Sequence, residues 1–212
     1  MSSQFSLFKT RRFSPFFATQ FLGAFNDNLF KNALIVLITF QTAQWSSLSP
    51  GLLVNLAAGI FILPFFLFSA TAGQLADKYD KALLSRLVKG LEIAIVLLIG
   101  LGFWLQSLSL LMVCLFFLGL QSTLFGPVKY ALLPQHLHAH ELVGGNALVE
   151  AGTFVSILLG TLCGGLLASL DNGPLWITAA CMLAAIAGYL ASRGIPDAPA
   201  PEPSLRINPN PV

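Results

Sequence analysis

The sequence predicts an all-α fold, a polytopic membrane protein of six transmembrane helices. Hydrophobic residues make up 56% of the chain and charged residues 9%, where a soluble domain carries about 25% charged. Such a chain could not cover its surface in water. Apolar runs near the roughly 20 residues that a bilayer requires occur six times, and turn-like stretches separate them. The Lys and Arg residues gather at alternate connections, as the positive-inside bias of membrane proteins demands.

Taken in order, residues 1–14 form a cytoplasmic N-terminal segment, residues 15–192 the six-span bundle, and residues 193–212 a Pro-rich linker or tail. Span one covers 15–40; its Asn and Gln residues lower the hydropathy without breaking the run. Spans two and three, 51–76 and 83–105, flank the polar stretch Asp77–Lys81. Span four covers 108–130, and Pro127 is expected to disturb its end and free backbone groups there. Span five, 142–169, contains Gly160, Gly164 and Gly165, a small-residue face that invites close approach of another helix. Span six covers 173–192. Beyond it, Ile195-Pro-Asp-Ala-Pro-Ala-Pro-Glu-Pro has the composition of an extended linker.

Charge sets the orientation. Lys9, Arg11 and Arg12 precede span one, Lys78, Lys81, Arg86 and Lys89 surround the second connection, and Arg193 follows span six. The first, third and fifth connections contain no Lys or Arg. Both termini are therefore expected in the cytoplasm. Cys114, Cys163 and Cys181 lie within apolar spans and show no metal spacing, which reads as small core residues. His136, His138 and His140 alternate, but no carboxylate or thiol set accompanies them. No metal, cofactor or nucleic-acid partner is expected.

Residues that conflict with a bilayer point to function, because an ionisable group at mid-membrane costs about 2.5–3.5 kcal/mol on insertion scales. Asp27 lies roughly 18 Å beyond Pro15 along a helix. It shares a face with Lys31 four residues on, so the two can neutralise one another, with Asn28 and Asn32 beside them. The cluster reads either as polar glue between helices or as a water-lined binding site. Glu150 lies within span five, with Lys31 or Lys129 as its possible partner. Lys129 reads as a cavity residue or as a snorkelling lysine. Glu92 and Lys89 read as an interfacial pair near a helix end.

The second connection, Gly73-Gln-Leu-Ala-Asp77-Lys78-Tyr-Asp80-Lys81, resembles the loop between helices two and three of the major facilitator superfamily. Asp80 stands where that motif has its second Gly. The resemblance implies that Gly73, Asp77, Lys78 and Lys81 form a conformational latch at helix ends. Gln20 through Asn28, Gly126-Pro-Val-Lys129-Tyr130, and Asn146-Ala-Leu-Val-Glu150-Ala continuing to Leu158 through Gly165 resemble the lysophospholipid transporter family of that superfamily. The chain then corresponds to the N-terminal six-helix half. The implied partners are a C-terminal six-helix half or a second copy, and an acyltransferase or acyl-carrier-protein ligase that in some relatives is fused to the transporter.

The implied activity is movement of lysophospholipids such as lyso-phosphatidylethanolamine from the outer to the inner leaflet of a bacterial inner membrane, by alternating access, for reacylation. This is transport and not enzyme chemistry. Asp27, Asn28, Lys31, Lys129 and Glu150 are the implied substrate contacts, Asp27 for the amine and Lys129 for the phosphate. Alternatives are a membrane anchor or interaction module for a lipid acyltransferase, and a facilitator of another small solute.

Overall fold

The computed structural model describes residues 4–41 and 46–208. Residues 1–3 of the N-terminal segment and 209–212 of the tail lie outside the described residues. A short 3-10 helix, Gln4–Lys9, leads into six long helices. These are α1 (Ser14–Gln41), α2 (Pro50–Lys78), α3 (Lys81–Trp104), α4 (Leu108–His136), α5 (Leu142–Ala168) and α6 (Gly173–Arg193). All six are long and apolar enough to cross a membrane.

Local chemistry sets several of the ends. Pro50 begins α2 at a position where its missing N–H costs nothing. Asp80 caps α3 by accepting from the Leu83 N–H at 2.7 Å, and Ser107 caps α4 through Leu110. Asn172, with φ at 60°, turns the chain into α6. Five helices end within two residues of the spans read from the sequence. Helix α4 does not: it continues unbroken through Pro127 and Pro134 to His136, where the sequence reading stopped at 130. Packing holds the extension, because Val128, Leu132 and Leu133 are buried against Phe13, Phe16 and Val149.

The helices pack in the spatial order α5, α1, α6, α3, α4, α2. The α1–α5 contact is the most intimate, and the glycines of α5 make it so. A Cβ at Gly160 would stand 2.5 Å from the Phe25 carbonyl oxygen, and one at Gly164 would collide with that of Leu29. The interhelical approach expected of this face is therefore present.

Two apolar cores form. One unites Phe30, Leu34, Ile95, Ile99, Leu115, Leu118 and Cys181. The other, at the end of the bundle that carries both the N-terminal segment and the tail, unites Leu7, Phe13, Phe16, Leu132, Val149 and Ile195. We call this the basic end. Along α1, α3 and α4 a polar layer separates the two cores: Asn26, Asp27, Lys89, Glu92 and Gln121 are all buried.

The segment after α6 is extended, as its prolines dictate, but it is docked and not a free linker. Ile195 and Ala198 are buried. The Ala198 carbonyl accepts from the Lys81 N–H, and the Ala198 N–H donates to the Asp80 carboxylate. Glu202 donates its N–H to the Asp77 carbonyl. A proline-rich strand has no internal hydrogen bonds, so its carbonyls are free to take these outside donors.

Candidate functional site

Residues of α1, α2, α3, α4 and α5 surround a cavity of about 260 Å³. Asp27, Gln20 and Gly23 come from α1, Phe65 from α2, and Lys89 from α3. Ser122, Phe125 and Lys129 come from α4, and Thr153 from α5. Asp27 is 4% exposed. One of its carboxylate oxygens accepts a hydrogen bond from the Ser122 hydroxyl, and the other is buried without a partner.

Lys129 occupies a different part of the same cavity. Its ammonium lies 3.2 Å from Glu150 Oε1 and donates to Thr153 Oγ1 at 3.1 Å. The Tyr130 hydroxyl donates to the same Glu150 oxygen at 2.9 Å. Of the two partners open to Glu150 in the sequence, the structure selects Lys129. Thr153 in turn donates to Gln20 Oε1 at 3.0 Å, which links α4, α5 and α1. The cavity is thus lined by an acid whose uncommitted oxygen is buried and by a base held by a partly exposed carboxylate.

The remaining sequence candidates fall elsewhere. Asn28 and Lys31 do not line the cavity. The Asp27–Lys31 pair that the spacing allows is not made. Lys31 donates to Asn28 Oδ1 at 3.0 Å and sits over the Phe61 ring, while Asp27 turns toward α4. Asn28 donates back to the Ala24 carbonyl, and Asn32 reaches Thr161 on α5. The contacts of Lys31 with Phe61 and of Asn32 with Thr161 tie α1 to α2 and α5, as polar side chains do in bilayers.

The expected interfacial pair Lys89–Glu92 is instead fully internal. The two groups are 2.5 Å apart and 1% and 0% exposed. Glu92 also accepts from Asn26 at 2.6 Å and from Gln121 at 3.4 Å. Lys89 fits between α1 and α6 because glycines make room: a Cβ on Gly23 would lie 2.5 Å from its ammonium, and one on Gly188 would touch its chain at 3.5 Å. Sequence reasoning missed this network, although a small residue one turn before Asp27 was available as a signal.

At the expected latch, the α3 end is held by Asp80 and not by Asp77. Lys81 is 1% exposed and donates to the Pro199 carbonyl at 3.3 Å. Lys78 lies over the neighbouring Tyr79 ring, and Gly73 has open space around it. The contacts of Asp77 and Lys81 run to the docked tail. Nearby, Arg12 holds Glu141 through two bonds of 2.5 and 2.6 Å.

This arrangement has known counterparts. A family model described as Major Facilitator Superfamily matches residues 16–210. The lysophospholipid transporter LplT of Serratia proteamaculans (strain 568) is 30% identical over 191 residues, covering 90% of this chain and 44% of the relative. The proteins of the same name from Escherichia fergusonii and Escherichia coli (strain K12 / DH10B) are each 32% identical, over 190 and 192 residues, covering 89% of this chain and 44% of the relative. The chain therefore spans under half the length of these relatives. With its six apolar helices and a family match over nearly its whole length, this chain belongs to the Major Facilitator Superfamily.

Proposed function

We propose that this chain forms one half of a transporter that moves lysophospholipids from the outer to the inner leaflet of a bacterial inner membrane. The observation that carries the reading is the presence of Asp27 and Lys129 on one cavity. A zwitterionic headgroup needs both signs: the uncommitted Asp27 oxygen would take the amine, and Lys129 the phosphate as a point charge. Phe65 and Phe125 line the same cavity and suit the start of a single acyl chain.

In this reading Lys129 exchanges Glu150 for the substrate phosphate. That exchange is favourable in outline because Glu150 is 44% exposed and returns to a hydrated surface. Lys31 and Asn28 support α1 from outside the cavity. A second six-helix half, or a second copy, closes the site from the other side, and rocking of the halves about the midplane gives alternating access. The basic end faces the cytoplasm, and an acyltransferase or acyl-carrier-protein ligase there consumes the delivered lipid.

Uptake of labelled lyso-phosphatidylethanolamine by cells expressing the full chain tests this reading. Asp27→Ala should abolish uptake with membrane expression intact. Unchanged uptake would remove the amine contact. Unchanged uptake for a Lys129 variant as well would favour a membrane anchor for a lipid acyltransferase.

A further inference from the structure

Four arginines converge at the basic end of the bundle, in a concavity of about 600 Å³ separate from the cavity of Asp27. Its walls are Thr10, Arg11 and Arg12 before α1, Arg86 in the second turn of α3, and the stretch from Arg193 to Asp197 that closes α6.

Two of the four charges are partly answered. Arg12 is committed to Glu141. Arg86 donates to the Ile195 carbonyl at 3.2 Å and stands 3.9 Å from the Asp197 carboxylate, which is 89% exposed. The Arg86 Nε is buried and has no hydrogen-bond partner. Arg11 and Arg193 are exposed, and no ion pair among the described residues involves either. The concavity therefore holds a surplus of positive charge and an unmet buried donor. Orientation alone would require only that these arginines lie at one end of the bundle. It would not require three separate elements to bring them to one concavity.

The surroundings say what kind of anion fits. Helices α3 and α6 pack on one another. On the helix face of Arg86, about three turns deeper, lies Leu97, and three positions deeper than Arg193 lies Leu190, both 61% exposed. Below the charged recess, α3 and α6 therefore both carry exposed apolar side chains. Guanidinium groups match phosphate oxygens in pairs, and basic pockets between transmembrane helices suit anionic headgroups.

We propose that this concavity binds the phosphate of an anionic phospholipid headgroup, held by Arg11, Arg86 and Arg193, with its acyl chains along α3 and α6. The bound lipid leaves the Arg12–Glu141 pair in place. This site is independent of the substrate cavity and stands whether or not the transport reading holds.

Native mass spectrometry of the full chain, released from detergent micelles with added dioleoyl-phosphatidylglycerol, dioleoyl-phosphatidylcholine or inorganic phosphate, tests it. Phosphatidylglycerol should be retained in preference to phosphatidylcholine, and millimolar inorganic phosphate should not displace it. Arg11→Gln with Arg193→Gln should weaken that preference about thirtyfold, the effect of two cations near an anionic surface. Lys9→Gln with Arg206→Gln removes the same charge from exposed positions outside the concavity and should leave it unchanged. Equal retention of the two lipids would overturn the proposal, as would equal losses in the two double variants. Displacement of the lipid by inorganic phosphate would overturn its lipid source. A melting temperature matched to the parent separates a lost site from a lost fold.

Discussion

Removing the carboxylate of Glu92 should be among the most damaging single changes to this bundle. Glu92→Ala leaves the Lys89 ammonium, 1% exposed, without its counter-ion, and it also strips an acceptor from Asn26 and Gln121. Breaking a buried ion pair from one side costs about 3–5 kcal/mol, because the other charge stays behind unsolvated. At about 2–4 °C per kcal/mol for a chain of this size, the apparent Tm should fall by about 6–20 °C. Lys89→Met with Glu92→Gln removes both charges, keeps the length of the chain that threads past Gly23, and leaves Asn26 an acceptor. That pair of changes should recover most of the loss, since replacing a buried ion pair by groups of like volume is often close to neutral. The protein supplies its own probe: Cys114 and Cys181 are buried free thiols, so a thiol-reactive dye reports unfolding in detergent. A Glu92→Ala Tm within 2 °C of the parent would refute the reasoning; so would a double variant that melts as low as the single one.

Three further outcomes are expected. Gly164→Leu should lower the Tm by several degrees, because its Cβ meets the Leu29 backbone, whereas Gly165→Leu meets open space and should be near neutral; the same thiol assay compares them. Asp80→Ala removes both the α3 cap and the hold on Ala198. It should cost about 1 kcal/mol as a lost cap and speed tryptic cleavage after the exposed Arg206, followed by electrophoresis. Lys129→Met should raise the KM for lysophospholipid uptake about tenfold or more, the 1.5–3 kcal/mol of a hydrogen bond to a charged group, while Glu150→Gln should retain uptake.

Much of the fold was legible because a bilayer imposes a strong code of long apolar runs, interrupted by turns, with cations on one side. The end of α4 was not. Pro127, Lys129 and Pro134 look locally like a terminus, and only burial of Leu132 and Leu133 against α1 and α5 overrides them. Asp27 and Lys129 stood out as charges in apolar surroundings, and they do share a cavity. Their partners were hidden. A helical i,i+4 spacing favoured Asp27–Lys31, but the chosen donor, Ser122, sits on another helix at a sequence distance no local rule can see.

Lys89 and Glu92 were misplaced for a related reason. Lys89 lies roughly 12 Å into α3 and Glu92 roughly 16 Å, but depth along a helix does not say which face its neighbours will cover. The room for Lys89 comes from Gly23 and Gly188, on two other helices. The tail's prolines suggest an extended linker; its docking depends on donors from Lys81, Gln135 and His136 that tertiary structure brings to it.

Photo-crosslinking tests the central claim most directly. Lyso-phosphatidylethanolamine with a photoreactive group near the head of its acyl chain is added to membranes containing the full chain, irradiated, and the labelled peptides mapped. Labelling at Phe65 and Phe125, suppressed by excess unlabelled lysolipid and lost in Asp27→Ala, is the result expected of a substrate cavity between α1, α2 and α4. Labelling confined to lipid-facing residues such as Leu97 and Leu183, with no response to competitor or to the loss of Asp27, would contradict it.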